Sequence, residues 1–254
     1  WLIPDITKGV LNFLAHRQAT TLDPVKDAEP GKILHEMRNG EMAETGEIPF
    51  KLYYGSIDST LLFIVLAGHY LKRTNDINTI TNIWPNILRA LKWIDKYGDI
   101  DGDGFIEYQR KTESGLANQG WKDSHDSISH ENGELASFPI ALCEVQGYAY
   151  DAKIQAAYMA DRMGQPMLAD KLRKEAQQLK QHFNDVFWDE QLGTYVLALD
   201  GEKKPCRVLS SNAGHTLFSG IATEERAIKT TARLMSEEMF TGWGIRTLSS
   251  KSAR

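Results

Sequence analysis

The stretch that decides the fold is apolar on nearly every side: Ile57-Asp-Ser-Thr-Leu-Leu-Phe-Ile-Val-Leu-Ala-Gly-His-Tyr-Leu71. A helix without a clear polar face is normally buried all round. A second segment, residues 138–160, has the same character, with apolar side chains spread over all of its faces. We therefore predict two helices that lie inside the protein, at 57–71 and 138–160.

Each of these segments is followed by one with a one-sided apolar stripe. At 79–97 and 166–187 apolar residues recur at intervals of three and four, as in helices that bury one face. Inner helices paired with outer ones are typical of a double-layered helical toroid or solenoid, whereas a plain bundle needs only one-sided helices. Strand patterns are few, at 105–108 and 194–199. We predict one all-α domain over residues 1–254, with long loops and minor β structure.

Composition excludes several classes of partner. The 254 residues include 29 basic and 34 acidic side chains, a net charge of −5, which disfavours a nucleic-acid partner. The longest apolar run, Leu61 to Gly68, is far shorter than the ~20 residues that cross a membrane. Two isolated cysteines, Cys143 and Cys206, favour a reducing compartment, so a cytoplasmic location is expected. A start at Trp1 rather than methionine favours a piece of a longer protein.

Two loops, 20–55 and 98–134, exceed the ~12–15 residues of ordinary connections and are expected to be functional. The second begins with Asp99-Ile-Asp-Gly-Asp-Gly-Phe-Ile-Glu-Tyr108. An EF-hand calcium loop has acids at its first, third and fifth positions and Gly at its sixth, as here, but it ends on Glu at the twelfth. Arg110 occupies that twelfth position. We predict an Asp/Gly turn leading into a short strand, with weak calcium binding as the alternative.

The same loop continues with Gly120-Trp-Lys-Asp-Ser-His-Asp-Ser127. An indole ring can stack on a sugar, and a carboxyl against an aromatic wall acquires the raised pKa that a general acid needs. The alternative is a solvated polar loop with a core tryptophan. His125 and His130, near Asp123 and Asp126, could ligate zinc or manganese, but their spacing is not a standard metal motif. We predict no metal and no cofactor.

Two further motifs leave alternatives open. Asp58 starts the helix predicted at 57–71, either as an acid favoured by the helix dipole or as a side chain that points towards a ligand. Residues 241–247, Thr-Gly-Trp-Gly-Ile-Arg-Thr, are either a loop that contacts a ligand through Trp243 and Arg246 or a turn with a buried tryptophan. No phosphate-binding, dinucleotide-binding or serine-hydrolase motif is present.

Taken in order, six motifs resemble bacterial amylo-α-1,6-glucosidases, which are glycogen-debranching-enzyme-like glycoside hydrolases. The motifs are residues Gly31–Arg38, Tyr53–Asp58, Asp101–Tyr108, Gly120–Ser124, Ala141–Gly147 and Gly242–Leu248. The resemblance covers nearly the whole chain. It implies an (α/α)6 barrel that hydrolyses α-1,6-glucosidic branch stubs of glycogen-like α-glucans with inversion and without a metal.

The resemblance also implies roles for particular residues. Asp123 matches the general acid. The candidate substrate-binding residues are Trp121, Lys122, Asp58, Tyr54, Glu36, Arg246 and Trp243. Inversion also needs a basic carboxylate ~6.5–9.5 Å from the acid, which related barrels supply near their C-terminal end.

This sequence provides about seven or eight of the twelve helices expected, so we predict that the basic carboxylate is absent from it. No residue stands out as a substitute from its sequence pattern. The acids weighed for that role are Glu36, Glu41, Glu113, Asp126 and Glu131. The incomplete barrel would leave the apolar faces of helices such as 57–71 open to water, so a homo-oligomer covering that side is expected.

The sequence is also compatible with two other functions. The chain could be a carbohydrate-binding or scaffold fragment without turnover, as a missing basic carboxylate would imply. It could also belong to another (α/α)6 glycosidase, or to a disaccharide phosphorylase in which phosphate replaces the base. In each case the expected partner is an α-glucan or oligosaccharide, not nucleic acid or membrane.

Overall fold

The computed structural model describes residues 3–253, and this part of the chain is mainly helical. Its eight α-helices are α1 (Pro4–His16), α2 (Glu41–Glu44), α3 (Ser59–Thr74), α4 (Ile77–Trp93), α5 (Cys143–Arg162), α6 (Pro166–Phe187), α7 (His215–Ser219) and α8 (Glu224–Leu234). The strands are β1 (Ala141–Leu142), β2 (Trp188–Asp189), β3 (Thr194–Tyr195), β4 (Ala198–Leu199) and β5 (Pro205–Cys206). Short 3₁₀ turns lie at Pro24–Lys26, Pro49–Lys51 and Ser211–Gly214, and a π turn at Ile94–Gly98.

Helices α3 and α5 pack against each other at the centre. Helices α1 and α4 cover α3, and α6 covers α5. A Cβ on Gly68 of α3 would lie 2.5 Å from the Cβ of Gln155 in α5, so glycine is what lets the two helix backbones approach closely. The prediction of two inner helices, each followed by a one-sided outer helix, is therefore confirmed.

Most helix boundaries follow the sequence pattern. Helix α6 spans the predicted 166–187, and α3 begins two residues after the predicted start and continues to Thr74. Asn75 then adopts a left-handed conformation (φ 56°) and ends α3, as is common at helix C-termini. Helix α4 begins earlier than predicted because the side chain of Asp76 accepts a hydrogen bond from the Thr79 N–H (3.0 Å) and caps the helix.

The start predicted for α5 is wrong by five residues. The helix begins at Cys143, because Pro139 disfavours helical backbone before it and Ala141–Leu142 pair with β4. The strand predicted at 105–108 is reduced to a single bridge between Tyr108 and Ile140. The strand predicted at 194–199 is split, with β3 pairing with β2 and β4 lying between β1 and β5.

Hydrogen bonds to the Asp200 side chain hold the backbone of the turn between β4 and β5. One oxygen of Asp200 accepts hydrogen bonds from the N–H groups of Glu202 (2.9 Å) and Lys204 (2.8 Å). Between them, Lys203 adopts a left-handed conformation (φ 62°). The turn thereby directs Lys203 towards the loop at 99–107, described below.

Helix α1 carries a row of exposed large apolar side chains, whereas α3 does not. Along one face of α1 the exposed side chains are Ile6, Val10 and Phe13, with Ile3 just before the helix. The large apolar residues of α3 are mostly buried by its neighbours. The expectation that the helix at 57–71 would be open to water is therefore wrong for the described residues. No helix within 3–253 has the length and apolar character needed to span a membrane.

Candidate active site

Polar side chains converge where the N-terminal ends of α3 and α5 meet the loops that contain Trp121 and Asn212. We call five of them the site cluster: Asp58, Lys122, Glu144, Tyr148 and His215. Electrostatic influence joins them, since Glu144 and Asp58 both raise the pKa of Tyr148, and Lys122 and Asp58 both act on His215. The partial positive charge of the two helix N-termini favours acidic groups here.

Glu144, in the first turn of α5, is the most deeply buried member of the cluster, with 1% of its surface exposed. Burial raises its pKa to about 7, although the nearby charge of Lys122 and hydrogen bonds act in the opposite direction. One carboxyl oxygen accepts a hydrogen bond from the side-chain amide of Asn212 (2.9 Å). A carboxyl with this pKa can gain or lose a proton at neutral pH.

Lys122, a member of the cluster, and its neighbour Trp121 lie towards the solvent. The Lys122 ammonium donates to the carbonyl of Thr247 (2.7 Å) and lies 5.2 Å from the centre of the Trp121 ring. Burial lowers the pKa of Lys122 to about 8. Trp121 packs at a tilt on His215, with ring centres 5.7 Å apart, yet 43% of its surface stays exposed. The alternative of a core tryptophan at this position is therefore wrong, and part of the indole is open to a ligand.

His215 and Tyr148 form a hydrogen-bonded pair. The Tyr148 hydroxyl lies 2.6 Å from Nδ1 of His215. Burial and the charge of Lys122 lower the pKa of His215, and burial raises the pKa of Tyr148. Either group can donate in this pair, because a neutral imidazole carries its proton on Nδ1 or on Nε2.

Asp58 does not cap α3. The Ser59 N–H at the start of the helix donates instead to the Ser56 hydroxyl (3.1 Å), and that hydroxyl lies 2.5 Å from the Asp58 carboxylate. Burial raises the pKa of Asp58. Both alternatives left by the sequence fit this position: Asp58 lies at the N-terminus of α3, where the helix dipole favours an acid, and it acts electrostatically on Tyr148 and His215 of the site cluster.

Asp123, the predicted general acid, is exposed and lies two residues beyond Trp121 in the chain. A desolvated environment was expected around it, but the structure places that environment around Glu144. Gly120 of the same loop lies close to Glu144, since a Cβ there would be 3.7 Å from a carboxyl oxygen of Glu144. The loop that carries Asp123 therefore rests on the buried acid.

Trp243 and Arg246 lie on a second exposed loop, closed by a bridge between Phe240 and Ile245. Trp243 is 99% exposed, so the alternative of a turn with a buried tryptophan is wrong. The bond from Lys122 to the Thr247 carbonyl connects this loop to the site cluster.

Two predicted binding residues point elsewhere. The Tyr54 side chain is buried, and its hydroxyl donates to the Arg17 carbonyl (2.7 Å). Glu36 forms an ion pair with Arg38 (3.1 Å). These contacts give neither residue a visible connection to the site cluster.

The other acids and histidines weighed from the sequence are dispersed. Glu41, Glu113, Asp126 and Glu131 are all exposed. His125 is exposed as well, while His130 pairs with Asp200 (3.2 Å). Among residues 3–253, the group with suitable geometry for a metal ion lies in a different place and consists of Asp99, Asp101 and Glu107.

Three members of the cluster, Glu144, Tyr148 and His215, were not predicted as site residues. Glu144 and Tyr148 lie in a stretch whose apolar pattern indicates core. That stretch contains two acids, Glu144 and Asp151, and an acid within a core pattern is the signal that could have identified Glu144, since buried acids need a reason to be there. His215 had only its position after a Ser-Ser-Asn-Ala-Gly turn.

Comparisons with known proteins identify one matching family and several solved structures with a similar fold. A family model described as "Mannosylglycerate hydrolase MGH1-like glycoside hydrolase domain" matches residues 57–254. Among solved structures, a GH78 family rhamnosidase of Bacillus sp. GL1 superposes with a TM-score of 0.65 at 16% identity, over 92% of this chain and 21% of that one. The rhamnosidase of Klebsiella oxytoca gives 0.50 at 21% identity, over 70% and 30%.

Neutral trehalase from Saccharomyces cerevisiae gives a TM-score of 0.59 at 12% identity, over 78% of this chain and 46% of the trehalase. These identities establish similarity of fold alone. The chain spans less than half the length of each of the three enzymes. No curated protein matches the sequence.

Proposed function

Because the chain belongs to the family of mannosylglycerate hydrolase MGH1-like glycoside hydrolase domains, we propose that it supplies the proton-donor side of an inverting (α/α)6 glycosidase centre. The observation that carries this proposal is a half-exposed tryptophan, Trp121, with an exposed acid, Asp123, two residues further along a loop that packs against buried Glu144. We propose α-1,6-glucosidic branch stubs of glycogen-like glucans as the substrate, on the strength of the six sequence motifs.

In the proposed reaction, the Asp123 carboxyl donates its proton to the glycosidic oxygen as the bond to the anomeric carbon breaks. Water attacks that carbon from the opposite face, and a second carboxylate takes the proton of the water. We assign no residue of this chain to the second carboxylate.

The remaining side chains of the site would bind and orient the sugar. The open part of the Trp121 indole offers a stacking surface, and the Asp58 carboxylate offers acceptors for sugar hydroxyls. The imidazole of His215, held in place by its hydrogen bond with Tyr148, offers a polar nitrogen to a sugar hydroxyl. Trp243 would contact more distant parts of the substrate. Tyr54 and Glu36 have no role in this proposal, because their polar groups are committed to Arg17 and Arg38.

A second candidate function follows from the family match. The description of the matching family includes mannosylglycerate hydrolase, which favours a small glycoside over a branched polymer. The same proton donor and stacking surface would serve either substrate, so the two candidates differ in what lies beyond the cleaved bond.

Both candidates are tested by following hydrolysis with the natural protein that contains this chain. The substrates are a singly branched maltooligosaccharide, its linear counterpart and mannosylglycerate. Selective release of glucose from the branched substrate, appearing first as the β-anomer by proton NMR, is the expected result. Selective cleavage of mannosylglycerate would support the second candidate.

Other outcomes would replace the proposal. Saccharide binding by calorimetry without any product would indicate a binding or scaffold protein. Product that forms only when inorganic phosphate is present would indicate a phosphorylase. A first-formed α-anomer would contradict inversion.

A further inference from the structure

Away from the site cluster, the acidic loop at 99–107 surrounds the side chain of one lysine from a distant part of the chain. The Lys203 ammonium lies 2.8 Å from a carboxylate oxygen of Asp101 and 2.7 Å from one of Asp103. It also contacts the Glu107 carboxylate. An ammonium has three N–H donors, and here it has three carboxylate acceptors.

Lys203 lies in the turn between β4 and β5, where the Asp200 carboxylate accepts hydrogen bonds from the backbone N–H groups on both sides of it. Its attraction to the three acids raises the pKa of Lys203, so it stays charged. Glu107 is 1% exposed, and a buried carboxylate is costly without an opposite charge.

Asp99, the fourth acid of the loop, has a different task. One of its oxygens accepts from the N–H of Gly102 (2.7 Å) and the other from the N–H of Gly104 (2.9 Å). Both oxygens are thus engaged in holding the turn that brings the other acids together. The Asp/Gly turn predicted from the sequence is confirmed, although no full strand follows it.

We propose that the Lys203 ammonium is the resident cation of this loop and stands where an EF-hand loop holds calcium. The loop then ties the β4–β5 turn to the strand bridge at Tyr108 and does not bind a divalent ion. Arg110 fits this assignment, because the twelfth position is where a calcium loop needs a bidentate Glu.

If the lysine is the cation, removing it should create a metal site. Ligand oxygens of Asp99, Asp101 and Glu107 lie within 4.8 Å of one another. The second oxygen of Glu107 is buried and has no hydrogen-bond partner among the described residues, so Glu107 could bind a cation through both oxygens. Calcium accepts such carboxylate sets.

The test is calorimetric titration of calcium chloride into the wild-type chain and into Lys203→Met, together with thermal unfolding of each. Lys204→Met is the matched control, because it removes the neighbouring lysine, which pairs only with exposed Glu202. We expect no saturable binding by the wild type or the control up to about 1 mM calcium. Lys203→Met should bind at least tenfold more tightly than that limit.

Stability provides the second measurement. Lys203→Met should unfold about 5 °C below the wild type without calcium and recover most of that loss when calcium is added, whereas the control should show neither change. Saturable binding by the wild type would overturn the proposal whatever the variants do. So would a folded Lys203→Met that gains no affinity.

If Lys203→Met does not fold, Lys203→Gln takes its place, since its amide can still donate to one or two of the acids. A Lys203→Gln protein that folds and binds calcium no better than the wild type would also overturn the proposal. Folding of either variant only in the presence of calcium would support it.

Discussion

Two buried glutamates, Glu107 and Glu144, show how differently the same fold uses the same side chain. Each is 1% exposed, and burial raises the pKa of both. Glu107 contacts the Lys203 ammonium, whereas Glu144 receives a neutral amide from Asn212. Lys122 is the cation whose charge acts on the pKa of Glu144. Its ammonium donates its hydrogen bond to the backbone carbonyl of Thr247 instead.

Glu107 and Glu144 differ in the charge of the group that contacts them and not in their depth of burial. An acid paired with an ammonium is ionised, and the ion pair holds two segments of chain together. A buried acid held by neutral donors keeps a pKa near neutrality, and Glu144 does so beneath the loop of Trp121 and Asp123. The proton-exchanging acid lies next to the residues that the motifs assign to sugar binding, and the ion-paired acid lies in the loop with the EF-hand-like pattern.

The largest effect that would separate the two acids is the pH dependence of stability. The folded protein binds a proton at Glu144 up to about pH 7, against an ordinary value of 4.5, so this group stabilises the fold below pH 4.5 and loses that contribution as pH rises through 7. At about 1.4 kcal/mol for each pH unit, the loss is roughly 3 kcal/mol.

Urea unfolding at pH 5 and pH 8 measures it. Between these values the wild type should lose roughly 3 kcal/mol more than Glu144→Gln, whose amide cannot ionise. Because His215 and Lys122 also titrate nearby, the difference between the two proteins is the quantity to compare. Parallel losses would show that Glu144 does not titrate in this range.

A matched pair of isosteric substitutions gives a smaller effect. At pH 7, Glu107→Gln removes the charge that Lys203 contacts and should lower the free energy of unfolding by about 2 kcal/mol. Measured at pH 5, where Glu144 is still largely protonated in the folded protein, Glu144→Gln should change the free energy of unfolding by less than about 1 kcal/mol, because the amide resembles the protonated acid and can still accept from Asn212. Equal losses in urea unfolding would remove the distinction between the two sites.

The smallest effect on stability is expected at Trp243, outside both acidic regions. Its side chain is 99% exposed, so Trp243→Ala should alter the free energy of unfolding by no more than about 0.5 kcal/mol. If the loop binds saccharide, the same change should weaken binding of a branched maltooligosaccharide severalfold, as measured by calorimetry. An unchanged affinity would remove Trp243 from the site.

Much of the fold could be predicted because the helices carry their own signal. The all-round apolar pattern identified α3 and α5 as inner helices, and the one-sided pattern gave both ends of α6. The start of α5 was missed because it depends on β4, more than fifty residues away in the sequence. Periodicity is local, and strand partners are not.

The candidate site was harder to predict for the same reason. The loop of Trp121 to Asp123 could be singled out by its composition, but the acid beneath it lies in a segment with a core pattern. The 99–107 loop was predicted to be an Asp/Gly turn, with weak calcium binding as the alternative, and Lys203, which contacts its acids, is 96 residues from Glu107 in the chain. Contacts over such distances follow from the packing of helices and turns, which no single segment encodes.

The most direct test of the proposed function is the hydrolysis rate of the natural protein carrying Asp123→Asn, with a singly branched maltooligosaccharide as substrate. Asp185→Asn, an exposed change on α6 outside the cluster, is the matched control, and Glu144→Gln is measured beside it. Loss of the proton donor should lower kcat/KM by a factor of about 10²–10⁴, while the control keeps the wild-type rate. Full activity in Asp123→Asn would contradict the assignment, and its loss in Glu144→Gln alone would transfer the proton-donor role to the buried acid.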